Sequence, residues 1–436
     1  MTDGYLDLPV DERSREVLAA RGLDLRLVPG DDDAAFDAWS QSQSRGFLES
    51  ERTPSQLAAM RQRAAERRTT GVYDPRGAEP ERPVGTIASW PTELSVPGGI
   101  LPSWAISSVT VAPTHHRRGI ARAMMEAELR TAQALGVPMA SLTVTESTLY
   151  GRYGFGPAAD SAAWRLDVRR AGWIGPEASG RLDFVSRDEL RRLAPEVHER
   201  ARPGWPGEVV VPAAEWDGLV GTRPDVTDDA AVRAVRYTAP DGVVRGLVAY
   251  RIQENREDFS RSLAEVSYLV AEDADAYAAL WRFLVELDSV AELRATELSV
   301  AEPVRWMIAD QRAATVTVRE HHYLRILDVR AALAGRAYGG PGVLALDVTD
   351  PTGLAGGRWL LAADADGTAE VAEWTDAEAP RDAVVVHTSI ADLSSMYLGS
   401  VSLATLAAAG RVRASDPAAA ARVLGWHVPA RLSFWY

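Results

Sequence analysis

Between residues 23 and 28 apolar and charged side chains alternate, Leu23, Leu25 and Leu27 against Asp24 and Arg26, which predicts a strand stopped by Pro29-Gly30. Asp31 to Asp33 then suit the start of a helix carrying Phe36, Trp39 and Phe47, and a second helix is expected over 54–68 with Pro54 in its first turn. Short apolar runs at 71–73 and 84–88 flank Asp74-Pro75-Arg76-Gly77, a connection suited to a hairpin. A strand over 104–111, a helix over 118–135 and a strand over 139–144 complete an α/β domain assigned to residues 1–167.

A second unit is assigned to 168–314. Ser186-Arg187-Asp188-Glu189 reads as a capping box ahead of a helix ending near residue 200. Strands over 231–237 and 243–250 surround the turn signal Asp241-Gly242. A strand over 263–270 then leads into a helix with Leu280, Phe283, Leu284 and Leu287 on one side. Strand and helix recur in the order of the first unit, so the pattern predicts a duplication of one fold. Residues 315–436 form a third, α+β unit: a helix over 329–333, strands at 343–348, 358–363, 369–374 and 383–387 expected to run antiparallel in succession, and helices over 389–397, 402–409 and 417–424. Asp416 and Pro417 supply the last helix's cap and first position.

The 436 residues suffice for about three domains, and 46% hydrophobic with 25% charged residues is the balance of a globular protein. No run approaches the roughly 20 apolar residues of a membrane span, and the N-terminus lacks the layout of a signal peptide, so no membrane association and a cytoplasmic location are expected. The chain has no cysteine, which removes disulfides, thiolate metal sites and a cysteine nucleophile; no metal is expected. A net charge of −14 provides no phosphate-binding footprint for nucleic acid, while the excess acid suits a cationic substrate. Every basic residue apart from histidine is arginine.

The informative segment runs from Ser107 to Met124. A β-branched strand containing Val109, Thr110 and Val111 enters a basic turn, His115-His116-Arg117-Arg118-Gly119, and then a helix with Ala121, Met125, Leu129 and Ala132 at helical spacing. The first amides of such a helix lack intrahelical partners and carry the positive end of its dipole, so they suit a diphosphate, with Arg117, Arg118 and Arg122 adding charge. His116-Arg117-Arg118-Gly119-Ile120-Ala121 resembles the Arg/Gln-x-x-Gly-x-Gly/Ala hallmark of the GNAT acyltransferases, departing at its first position, His116. Leu149-Tyr150-Gly151-Arg152-Tyr153-Gly154-Phe155 is similar to that superfamily's Tyr-x-Lys/Arg-x-Gly-Phe segment. More narrowly, VTVAPTHHRRGIARAM, LYGRYGFGPA and MYLGSVSLATLAAAGRV resemble the Eis (enhanced intracellular survival) acetyltransferases of actinobacteria. The resemblance implies two tandem GNAT-like domains, each a mixed sheet flanked by helices, the second degenerate, followed by a sterol-carrier-protein-like α+β domain. It implies a homohexamer that transfers acetyl from acetyl-CoA to primary amines of small molecules such as aminoglycosides.

Acyl transfer from a thioester needs an oxyanion donor, a proton acceptor for the amine and a proton for the thiolate. Backbone amides of Val109, Thr110 and Val111 suit the first role if the strand is splayed or bulged. By resemblance, acetyl-CoA also lies along Arg117, Arg118, Gly119, Ile120, Ala121 and Arg122 and at Thr145 and Glu146, and Tyr150 is the general acid. A tyrosine near its reference pKa of about 10 holds its proton at neutral pH. His115 and His116 are the histidines nearest the motif; their position suits phosphate contact better than amine deprotonation. The resemblance assigns the base to the C-terminal carboxylate, here of Tyr436, and the aromatic ending Phe434-Trp435-Tyr436 is a reason for that terminus to dock. Trp39, Phe47, Trp90 and Trp104 with Asp37 and Glu93 are candidates for an amine pocket. In the second unit Glu272, Asp273 and Asp275 precede the helix and would repel a diphosphate, so one acetyl-CoA site per chain is expected. The competing readings are acetylation of protein lysines or N-termini, and a non-catalytic lipid carrier or scaffold.

Overall fold

The computed structural model describes residues 4–223, 225–226 and 230–436. Its first half contains α1 (Glu12–Ala19), β1 (Asp24–Leu27), α2 (Asp33–Gly46), α3 (Pro54–Ala64), β2 (Arg68–Tyr73), β3 (Gly85–Val96), β4 (Gly99–Val111), α4 (Ile120–Ala134), β5 (Met139–Thr143) and β6 (Gly156–Asp167). Asp32 caps α2 by accepting from the Ala35 amide at 2.9 Å, and Thr53 with Gln56 forms a capping box ahead of Pro54. The helix expected to reach residue 68 stops at Ala64, because residues 68–72 pair antiparallel with β3. Sheet pairing there outweighs the helical propensity of the arginines.

The second half repeats the order: α5 (Val168–Ala171), β7 (Arg181–Val185), α6 (Arg187–Ala201), α7 (Trp216–Val220), β8 (Arg233–Thr238), β9 (Val244–Gln253), β10 (Ser262–Ala271), α8 (Ala274–Val285), β11 (Val290–Leu298), α9 (Val304–Met307) and β12 (Ala314–Ile326). All twelve strands form one sheet in the order β1-β2-β3-β4-β5-β12-β6-β11-β10-β9-β8-β7. Adding six to each label of the first half and reading backwards reproduces the order. β4 runs parallel to β5 and β10 parallel to β11, while each half's last strand pairs with the fifth strand of the other, β12 with β5 and β6 with β11. The duplication is therefore a strand exchange that fuses two domains into one sheet. The expected boundary at 315 falls at the start of β12, whose hydrogen-bonding partners are β5 and β6.

The last part comprises α10 (Val329–Ala334), β13 (Gly342–Thr349), β14 (Gly357–Ala363), β15 (Ala369–Glu373), β16 (Val384–Ser389), α11 (Ile390–Met396), α12 (Leu403–Ala408), β17 (Arg413–Ala414) and α13 (Pro417–Leu424). Its five-stranded sheet has the order β15-β14-β13-β16-β17. β13, β14 and β15 are antiparallel neighbours as expected, but β16 pairs parallel to β13 instead of continuing the meander. One apolar cluster joins this domain to both halves of the large sheet, uniting Leu94, Leu190, Leu324, Leu344, Val386 and the tail residues Leu432 and Phe434.

Candidate active site

β3 and β4 lose register between Thr86 and Ala88, so that Ser108 and Val109 stand opposite the single residue Ile87. This is a β-bulge, and Ser108 takes a left-handed φ of 58° within it. The Thr86 hydroxyl donates to the Ser108 carbonyl at 2.9 Å, and Gln43 Nε2 of α2 donates to Ser108 Oγ at 2.7 Å, fixing the bulge. On its other edge β4 pairs with β5 only at Trp104–Ala140 and Ala105–Ser141. Beyond that point the strands part, leaving the β5 edge of residues 106–111 with no strand partner. Val109, Thr110 and Val111 thus lie along an open wedge.

The basic turn sits at the same end of β4. Gly119 is the N-cap of α4 at φ 76°, with no side chain to cap the helix, so the amides of Ile120, Ala121 and Arg122 have no capping acceptor. Arg118 Nη1 lies 3.4 Å from Asp74 Oδ2 and His115 Nε2 3.2 Å from the same atom, which pins the turn to the 74–84 connection. His116 Nε2 donates to the Val111 carbonyl at 3.0 Å, a strand contact in place of the hallmark's usual residue. Arg117 is exposed, and Arg122 reaches Glu126 at only 4.0 Å. Thr145 and Glu146 are exposed in the loop after β5.

Side chains of successive strand residues point to opposite faces, and this divides the wedge. On the α4 face, Tyr150 packs in one cluster with Met124, Leu142, Val144 and Phe155, with Val109 and Val111 at its margin. Burial pushes the Tyr150 phenol up to about 12, with the neighbouring Tyr153 and Glu146 contributing less. On the opposite face the C-terminal residue lies along β5. The Thr143 hydroxyl donates to the terminal carboxylate of Tyr436 at 2.9 Å, and the Tyr436 hydroxyl donates to Ser141 Oγ at 2.8 Å and lies 2.8 Å from His322 Nε2. Its ring meets Trp90 edge-on at 5.5 Å. Burial drives the His322 imidazole down to about 3, so it is neutral at physiological pH.

A clamp that local sequence patterns did not reveal holds this terminus. Buried Glu208 accepts from Arg431 Nε at 3.0 Å and from the Ser433 amide and hydroxyl at 3.2 and 3.0 Å. The Arg431 guanidinium covers the Trp205 ring at 3.9 Å, and His321 Nε2 donates to the Phe434 carbonyl at 3.0 Å. Glu208 follows α6, and His321 and His322 lie in β12, all outside the motif segments and without local signature. Two adjacent histidines inside a strand were the one visible hint.

Of the candidate pocket residues, Trp90 meets the terminus, and Phe47 is exposed at the C-terminal end of α2. Trp39 and Trp104 are core, their indole N–H groups donating to the Thr70 carbonyl and to Glu128. Asp37 is paired with Arg61 and Glu93 with Arg202. A cavity of about 490 Å³ lies instead between α2, α3 and the 215–225 segment. Arg67, which lines it, stacks on Trp90 at 4.4 Å and so joins it to the terminus.

In the second half the N-terminus of α8 is closed. Asp273 accepts from the Ala276 amide at 2.8 Å, and Asp275 accepts from the Ser179 hydroxyl at 2.8 Å. Among the described residues no group of acidic and histidine side chains is arranged to hold a metal ion, and no helix is long and apolar enough to cross a membrane.

Comparison with known proteins agrees with this geometry. Residues 31–158 and 207–326 each match an acetyltransferase (GNAT) domain family, and residues 329–430 match the sterol carrier protein domain family. An uncharacterized N-acetyltransferase of Streptomyces avermitilis is 36% identical over 408 residues, covering 91% of this chain and 94% of that protein. The N-acetyltransferase Eis of Mycobacterium tuberculosis is 35% identical over 345 residues, covering 76% and 80%. The crystal structure of Eis1 from Mycobacterium abscessus superposes with a TM-score of 0.77 at 27% identity, covering 95% of this chain and all of that one.

Proposed function

The chain belongs to the Eis family of N-acetyltransferases, and on that premise we propose that its first domain transfers acetyl directly from acetyl-CoA to a primary amine of a small molecule, the cationic amines of aminoglycosides included. The supporting observation is the wedge between β4 and β5, with a phenol on one face and the terminal carboxylate on the other. The amides opening α4, with Arg117, Arg118 and Arg122, hold the coenzyme diphosphate, and Thr145 and Glu146 flank the coenzyme from the loop after β5. Acetyl-CoA supplies an acetyl thioester, whose carbonyl carbon the amine attacks and whose thiolate departs. Along Val109, Thr110 and Val111 the backbone N–H groups alternate between edges, Thr110's toward β3, and those of Val109 and Val111, toward the open β5 edge, stabilise the carbonyl oxygen as it gains charge.

The Tyr436 carboxylate takes a proton from the amine on the face opposite α4, while Tyr150 serves the thiolate on the α4 face. A phenol at about 12 holds its proton more tightly than a thiol of roughly 8.5 does. Tyr150 therefore contributes chiefly a hydrogen bond to the departing thiolate, its burial keeping that donor protonated throughout the working pH range. With no cysteine in the chain, direct transfer in a ternary complex needs no acyl-enzyme. The assembly is a homohexamer, readable by light scattering coupled to gel filtration.

Free-CoA release with a panel of aminoglycosides, simple polyamines and lysine-containing peptides tests the proposal. Turnover with small amines, lost in Tyr150→Phe and in a chain carrying one extra residue after Tyr436, is the expected outcome. Full turnover in both variants overturns the assigned roles, and turnover with peptides alone overturns the substrate class.

A further inference from the structure

Tyr436 is the last residue of the chain, so its carboxylate is tethered by a single peptide bond. Upstream, the clamp fixes the tail as far as the Phe434 carbonyl, which accepts from His321 Nε2 at 3.0 Å. Trp435 follows, 38% exposed, with its ring 4.6 Å from that of His321. Among the described residues, no backbone–backbone hydrogen bond of Trp435 or Tyr436 carries the hold further. One bond from Thr143 does not by itself aim a carboxylate at the end of two such residues. The Tyr436 side chain has to share that task.

Three residues on one face of the β5–β12 seam seat it. Ser141 and Thr143 are two apart in β5, and His322 stands directly opposite Thr143 in β12. Thr143 bonds the carboxylate at 2.9 Å, while Ser141 Oγ and His322 Nε2 each lie 2.8 Å from the hydroxyl. Hydroxyl and carboxylate are at opposite ends of the residue, so these contacts fix its long axis. Ser141 and His322 are fully buried, and His322 Nδ1 has no partner, which leaves the phenol as the hydrogen-bonding contact of that imidazole. A terminal ring without a hydroxyl would strand a buried polar group. The imidazole is also neutral, so it holds the phenol without placing beside the base a cation that would lower its basicity. β12 reaches this seam only through the strand exchange.

We propose that His322 is a positioning residue for acetyl transfer: with Ser141 it holds the Tyr436 hydroxyl, and through that ring it aims the terminal carboxylate at the acceptor amine. The last side chain, and not only its carboxylate, is then a requirement of turnover. This role rests on the acetyl-transfer reading above, in which that carboxylate is the base.

The test measures CoA release at saturating amine for Tyr436→Phe, His322→Leu, His322→Gln and the double variant Tyr436→Phe/His322→Leu. The first two are expected to lose about tenfold or more in kcat, with an acetyl-CoA KM within about twofold of wild type. His322→Gln, whose amide can still reach the hydroxyl, should recover most of the loss. The double variant should be no slower than the slower single one, because both substitutions remove the same contact. Carboxypeptidase release of the terminal tyrosine reads the seat without turnover and should be about tenfold or more faster in His322→Leu than in wild type. Melting curves check that the variants fold. Wild-type kcat in Tyr436→Phe or His322→Leu, or losses that multiply in the double variant, overturns the proposal. A chain extended by one residue separates the two layers. If it loses turnover while His322→Leu keeps it, the positioning role falls and the base stands; if it keeps full turnover, the base falls and the positioning role with it.

Discussion

Gly154 shows how one residue ties the Tyr150 segment to a distant domain. It closes the Tyr150–Tyr153 turn at φ 85°, and a Cβ there would lie 2.5 Å from Arg325 Nε. That guanidinium donates to the Tyr153 carbonyl at 2.8 Å and pairs at 2.6 Å with fully buried Asp350 of the third domain. Gly154→Ala therefore meets both backbone strain and a crowded, immovable cation, and is expected to cost about 2 kcal/mol or more in denaturant unfolding. Tyr150→Phe removes only a hydrogen-bond donor from a site that already packs as aromatic core. It should lower kcat about 10²-fold or more while leaving the melting temperature within a few degrees of wild type.

Among elements, the C-terminal tail and α4 carry the proposed chemistry. Extending the chain by one glycine moves the carboxylate off Thr143 without disturbing the Glu208 clamp, so kcat should fall about 100-fold with little change in stability. Glu208→Gln weakens the clamp at a distance from the chemistry. It leaves buried Arg431 only the more distant Glu302, 3.7 Å away, as a full charge partner, and loss of kcat with an acetyl-CoA KM near wild type would identify Glu208 as a positioning residue. α4 and α8 follow equivalent strands, yet Gly119 leaves one helix N-terminus open and Asp273 fills the other. Titration with CoA should accordingly give one site per chain, and Gly119→Val, strained at φ 76°, should weaken that site at least tenfold.

On the scale of the whole molecule, the exchanged strands make the two GNAT domains a single folding unit. A fragment ending at residue 167 would lack β12 and expose the inner edges of β5 and β6, so it is expected to aggregate more readily than the full chain in a side-by-side sedimentation assay. Acid sensitivity is also a global property. His198, His321 and His322 are all held below the ordinary histidine range by burial, His322 at about 3. The unfolded chain takes up protons near pH 6.5 that the folded chain refuses, so the stability these groups contribute is fully present above 6.5 and is lost as pH falls toward 3. Unfolding free energy measured from pH 7 to 4 should decline, and His322→Gln should flatten the slope by about 1.4 kcal/mol per pH unit.

Local structure was legible in the sequence. The glycine turn ahead of α4, the turn at Tyr150 and most strands and helices follow from caps, periodicity and motif spacing, because each depends on residues within a few positions of one another. The duplicated order of elements was legible too. What the tertiary structure decided is everything made by contact between distant segments: the exchange of β6 and β12, the parallel docking of β16, the burial of Trp39 and Trp104 in the core, and the Glu208 clamp that brings Tyr436 to β5. A sequence fixes which surfaces a strand or tail can bury. Which partner it buries them against is set by competition among all such surfaces in the folded chain, and that competition is not written in any single window of residues.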